Sequence, residues 1–120
     1  MKKKDFVTKY PRHEKAIQYA MNQITLSNLA PFVDDVILFG SCARGEESID
    51  SDVDLLLVLS EKVKNFNGYI KQCRILKSFI SSDELHDAET DLKICIGNEW
   101  GTSSSTIYQC IRKDGVSIWK

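Results

Sequence analysis

The sequence is short of the features that announce whole classes of protein. Its 120 residues include two prolines and six glycines, too few for a collagen-like or low-complexity chain. Charge of neither sign prevails, since 16 basic and 17 acidic residues give a formal net charge of −1. A broad electrostatic grip on duplex nucleic acid or on an anionic membrane is therefore not expected. Long apolar runs are missing as well. The longest, Leu55 to Leu59, is far below the roughly 20 residues that span a bilayer. Met1 to Lys4 is basic like the opening of a signal peptide, but Asp5, Lys9, Arg12, Glu14 and Lys15 occupy the stretch that an apolar segment would need. The expected location is the cytoplasm. Cys42, Cys73, Cys95 and Cys110 are scattered without a C-x-x-C pair, and His13 and His86 lie in no H-E-x-x-H pattern. The thiols are expected to be reduced and structural, and the two histidines to be surface residues rather than ligands.

What is present suits one domain over residues 1–120. At 42% hydrophobic and 28% charged residues, a chain of this length buries about two-thirds of its unfolded surface, enough for one core. Ile17, Ala20, Met21 and Ile24 share a stripe of a helix that begins at Pro11 and ends near residues 26–28. The remaining core, from about residue 32 to the end, opens with Val36 to Phe39, a short buried strand that stops at Gly40. Asp52 to Ser60 reads as a second strand. Phe66 to Ile80 reads as a helix with Phe66, Ile70, Cys73, Leu76 and Ile80 recurring on one side. After the acidic stretch Ser81 to Glu89, the run Asp91 to Ile96 alternates as a strand, with Leu92, Ile94 and Ile96 on one face. Helix N-cap candidates at Thr102 to Ser105 precede Ile107, Tyr108, Cys110 and Ile111. Gly115 ends that helix, and Val116 to Trp119 forms a last strand. The class is α/β (α+β), a mixed sheet of about four strands flanked by helices.

The chemistry is concentrated between residues 39 and 54. Asp52 and Asp54 are two apart at the mouth of a strand, so their carboxylates share a face and repel unless a cation lies between them. Hard oxygen ligands of this kind favour Mg²⁺. Gly40 and Ser41 stand where a strand turns into a helix. There the absence of a Cβ admits a phosphate to the backbone, and the Ser41 hydroxyl can hold its oxygens. Asp91, on the polar face of its strand, is a third carboxylate. Such a set suits in-line attack on a nucleotide α-phosphate. A P-loop is excluded, because Glu46-Glu47 stands where Lys and Ser/Thr are needed, and neither G-x-G-x-x-G nor G-x-S-x-G occurs.

Gly40-Ser41, ten intervening residues and Asp52-Val53-Asp54 resemble the GS-x10-D-x-D signature of the DNA polymerase β-like nucleotidyltransferase superfamily. Ala43-Arg44-Gly45, Ser51 and the apolar strand that follows extend the likeness. From about Val36 onward, length and element order are similar to those of its minimal nucleotidyltransferases. The resemblance implies the nucleotidyltransferase fold, with Asp52, Asp54 and Asp91 as ligands of one or two catalytic Mg²⁺ ions, Mn²⁺ being an alternative. Asp91 would also deprotonate the acceptor. Gly40 and Ser41 would hold the phosphates of a nucleoside triphosphate, ATP above all. Arg44 would either contact phosphate or fix the loop through Glu46, Glu47 or Asp50. Glu89 is a rival for the part of Asp91, and Lys93 on the same face either pairs with the carboxylates or serves the phosphates. The resemblance further implies a protein partner, a HEPN-type toxin adenylylated on a tyrosine. Two other readings stay open. One is transfer to a small cationic drug, with Asp83, Glu84, Asp87, Glu89 and Asp91 as an acidic wall in a homo-oligomer. The other is a non-catalytic module that binds its partner by contact.

Overall fold

Pro11 has no N–H to lose, which suits the first position of helix α1 (Pro11–Leu26). The computed structural model describes residues 8–82 and 88–119. The expectations for Met1 to Lys4, Asp83, Glu84, His86 and Asp87 fall outside these. The buried stripe of α1 is His13, Ala16, Ala20 and Ile24, with Ile17 and Met21 packed at its margin. His13 is thus not the surface residue expected. It is fully buried, its ring lies edge-on to Tyr10 at 5.6 Å, and Nε2 reaches the Ser51 carbonyl at 2.7 Å.

Strand β1 (Val33–Phe39) begins three residues before the expected Val36. Asp34 and Asp35 mask its first half in the sequence. Asp35 nevertheless fits, because its Oδ1 accepts from the Val36 N–H at 2.8 Å and from the Ser117 hydroxyl at 2.5 Å. After the single turn α2 (Ser41–Arg44) and a loop, β2 (Val53–Leu59) returns antiparallel to β1. Helix α3 (Tyr69–Phe79) then leads to β3 (Thr90–Ile96), which runs parallel to β2. A parallel return needs such a crossover. Helix α3 is shorter than Phe66 to Ile80. Phe66 lies outside it, stacked on Phe32 at 5.6 Å, and Ile70 is 54% exposed rather than in the core. A short helix α4 (Glu99–Thr102), which the sequence reading did not anticipate, precedes α5 (Thr106–Asp114), whose N-cap Ser105 accepts from the Tyr108 N–H. Gly115 follows with φ −68°, so it ends α5 without the left-handed geometry that favours glycine. The last strand, β4 (Val116–Ser117), is two residues long and stops short of Trp119.

The four strands form one mixed sheet, as expected, and their order is β3-β2-β1-β4. Alternation along the strands divides the core between its two faces. Val36, Leu38, Leu55, Leu57, Leu59 and Leu92 pack with the buried stripe of α1 and with Leu76 of α3. Ile37, Phe39, Leu56, Val58 and Cys95 pack with Ile111 of α5 and with Trp100 and Tyr108. The continuous apolar run of β2 is explained by its central place, buried on both faces. Each such leucine contributes about 1.5–3 kcal/mol relative to an exposed position. No described helix is long and apolar enough to cross a membrane. All four cysteines are free thiols, with Cys42 and Cys95 buried and Cys110 exposed.

Candidate active site

Strand β1 delivers the chain to Gly40, where φ 78° and ψ −158° lie in a region open essentially to glycine. A Cβ at Gly40 would also collide with Oδ2 of Asp54. The residue therefore makes the turn into α2 and keeps the space beside a carboxylate clear. Asp54 is the second residue of β2 and is paired in register with Phe39 of β1 and Asp91 of β3. Neighbouring strands lie about 4.8 Å apart, so Asp54 and Asp91 are adjacent on one face of the sheet, the face that carries α5. Asp52 sits just before the strand and is exposed. Asp54 is half-buried and Asp91 exposed.

Electrostatics set Asp54 apart. Burial raises its pKa above the usual carboxylate value, the negative charges of Asp91 and Asp52 raise it further, and Lys93 and Arg44 oppose the shift. The pocket holds more negative charge than its own cations balance. Lys93 Nζ stands 3.7 Å from Oδ2 of Asp91. Arg44 donates from Nε to Oε1 of Glu46 at 2.8 Å, and Nη1 lies 3.8 Å from Oδ2 of Asp114. The loop-fixing contact considered for Arg44 is therefore present, made by Glu46 and reinforced from the end of α5.

These groups surround a cleft of about 380 Å³ lined by Phe39, Gly40, Arg44, Asp54, Asp91, Lys93, Ile107, Cys110 and Asp114. Small-molecule sites occupy about 300–1,000 Å³. The structure thus brings Gly40, Arg44, Asp54 and Asp91 together, while Ser41 and Asp52 stand outside the lining. Glu89 is absent from that lining and from the charges acting on Asp54. Its carbonyl accepts from the Val53 N–H at 2.9 Å, a backbone role. The sequence reading missed the wall given by Ile107, Cys110 and Asp114, because nothing in a helical run marks which strand ends it will cover.

The donor set fits a divalent cation such as Mg²⁺ in one particular manner. The three aspartates do not form a tight cage. Among the described residues, the group whose three ligand atoms lie within 4.8 Å of one another is His13, Cys42 and Glu47. Mg²⁺ is commonly held by one or two carboxylates together with water and substrate phosphate rather than by an all-protein shell. A row of carboxylates along an open cleft suits that mode.

Comparison with protein families matches residues 21–113, more than three-quarters of the chain, to the nucleotidyltransferase domain. No curated protein matches the sequence. Among solved structures, the chain is similar to a Sulfolobus solfataricus protein provisionally described as a nucleotidyltransferase. The two share 22% identity, with 88% of this chain and 86% of that one covered and a TM-score of 0.51. A toxin-antitoxin structure with AMP-PNP is 20% identical over 92% of this chain and 73% of that one, with a TM-score of 0.49. At such identity the first likeness speaks to the fold.

Proposed function

Because the chain belongs to the nucleotidyltransferase domain family, we propose that it acts as a single domain that transfers a nucleoside monophosphate, AMP from ATP, to a hydroxyl acceptor. The observation that carries this reading is the adjacency of Asp54 and Asp91 beside a Gly40 with no room for a Cβ. With no Cβ at Gly40, the Asp54 carboxylate lies directly against the turn whose backbone would receive the phosphates.

The acceptor oxygen would attack the α-phosphorus, the bond to the bridging oxygen of the β-phosphate would break, and pyrophosphate would leave. Asp91, the more exposed carboxylate at the cleft, would take the acceptor proton. Asp52, Asp54 and Asp91 would hold Mg²⁺ or Mn²⁺, which supplies neutralisation of the charge that develops on the phosphates. Ser41 would orient the phosphates. Lys93, within the cleft, would meet the same anion on its other side, and Arg44 would keep the loop in place through Glu46.

For the acceptor we favour a tyrosine of a HEPN-type toxin. Exposed apolar side chains at the outer end of α1 and α3, Leu26 at 80% and Phe79 at 60%, border a groove with Gln23, Gln72 and Ile75. Apolar surface of this kind supports a protein partner. The contact-only reading has one observation in its favour, the Lys93 cation already beside Asp91. The test is inhibition of a candidate toxin by wild type and by the Asp52→Asn, Asp54→Asn double variant. Loss of inhibition with partner binding retained supports transfer, and inhibition without transfer supports contact. Label from ATP arriving on a small molecule instead would redirect the acceptor.

A further inference from the structure

Beneath the loop that joins α2 to β2, three side chains from separate segments converge without satisfying one another. His13 of α1 is 0% exposed, Cys42 of α2 0%, and Glu47 of the loop 3%. A ring nitrogen of His13, Sγ of Cys42 and a carboxylate oxygen of Glu47 all lie within 4.8 Å of one another. Among the described residues, His13 Nδ1 and Glu47 Oε1 find no hydrogen-bond partner. Buried polar atoms left in this state cost roughly 1–3 kcal/mol each, so two on residues grouped with one thiol call for an explanation.

The tautomer supplies part of it. Nε2 of His13 lies 2.7 Å from the Ser51 carbonyl, and a carbonyl only accepts. Nε2 therefore carries a hydrogen, and in its neutral form the ring offers a lone pair at Nδ1. Glu47 is oriented in the same way, because its other oxygen accepts from the Lys9 N–H at 3.2 Å. Metal-binding histidines typically donate their second nitrogen to a carbonyl, and ligating carboxylates are themselves hydrogen-bonded. Both supports are in place here.

We infer that His13, Cys42 and Glu47 form a buried zinc site, separate from the aspartate cleft and independent of its proposed function. Zn²⁺ takes nitrogen, sulfur and oxygen together in a tetrahedron, of which these side chains would supply three corners and a water the fourth. At Zn–S of about 2.3 Å and Zn–N or Zn–O of about 2.0–2.1 Å, the ligand atoms stand about 3.4–3.6 Å apart. Movements of about an ångström close the site. On binding, the Cys42 thiol loses its proton to solvent and its weak contact with the Asp52 carbonyl at 3.7 Å. Thiolate, carboxylate and dication then sum to zero charge, which suits a dry interior. The ion would pin α1 to the loop that carries Ser51 and Asp52.

The experiment is titration of the full chain with Zn²⁺, with Co²⁺ as optical probe, followed by X-ray absorption on the zinc-loaded wild type. Uptake of one ion per chain is expected, with a cobalt–thiolate band and an absorption fit to one sulfur at about 2.3 Å among nitrogen and oxygen neighbours. A hundredfold excess over Kd should raise Tm by about 11 °C. Cys42→Ala should abolish the band and Cys73→Ala should keep it. Absence of stoichiometric uptake, a shell with no sulfur or with several, or a band that survives Cys42→Ala would overturn the site. If Cys42→Ala does not fold, the sulfur count in the wild type decides.

Discussion

Replacing Gly40 by alanine tests the steric logic of the cleft. Two costs arise from one methyl group. At φ 78° and ψ −158°, a residue with a Cβ sits in a backbone region that costs about 1–3 kcal/mol. The methyl also meets Oδ2 of Asp54, which must shift. With about 4 °C of Tm per kcal/mol for a chain of this size, Gly40→Ala should melt about 4–12 °C below wild type. Displacement of Asp54 should weaken Mg²⁺-dependent ATP binding at least about tenfold, the equivalent of 1.4 kcal/mol. Gly68→Ala is the matched control, since Gly68 has φ 85° but nothing within 4 Å of its Cβ position. It should lose stability and keep nucleotide binding. Thermal unfolding and calorimetric titration with ATP read both quantities. The reasoning fails if Gly40→Ala matches wild type in melting and binding, or if Gly68→Ala loses nucleotide binding to the same extent.

Other substitutions separate stability from chemistry. Asp54 has its folded pKa raised by burial and by Asp91 and Asp52. Its contribution to stability is full below the unfolded value near 3.9 and is lost as pH rises through the folded value. Asp54→Asn should therefore melt above wild type at pH 7 in metal-free buffer, by a few degrees, with the gap closing toward pH 4, while losing transfer. A lower melting point at pH 7 would contradict the sign. Lys93→Ala removes a half-exposed partner of Asp91, so stability should change by less than about 1 kcal/mol while ATP binding weakens about tenfold; unchanged binding would remove Lys93 from the phosphate site. Leu57→Ala empties a fully buried position of β2 in the core it shares with α1 and should cost about 2–5 kcal/mol by denaturant unfolding. A loss below about 1 kcal/mol would show that this part of the core is loosely packed.

The candidate site was legible in part, because the constraints on residues 39–54 are local. A strand that stops at glycine, a serine turn and an Asp-x-Asp at the next strand each follow from near neighbours, and the mixed sheet follows from the alternation of elements. The strand ends were less visible. Asp34 and Asp35 look like a loop until Ser117 is brought to donate its hydroxyl to Asp35. His13 illustrates the same limit. A lone polar residue on an amphipathic helix reads as surface, and only the long-range contact with Ser51 shows it to be interior. Helix α4 is four residues long, too short for periodicity to register. The covering of the cleft by Asp114 and Cys110 depends on how α5 packs, which spacing along the chain does not encode.

The central claim is nucleotide transfer at the cleft between Gly40, Asp54 and Asp91. ATP labelled at the α-phosphate, incubated with the protein, Mg²⁺ and a candidate toxin, tests it most directly. The account predicts label on the acceptor, release of pyrophosphate, and loss of both in Asp54→Asn while that variant remains folded. Label transfer of equal extent in Asp54→Asn, or none from wild type to any hydroxyl acceptor offered with Mg²⁺ or Mn²⁺, would contradict it.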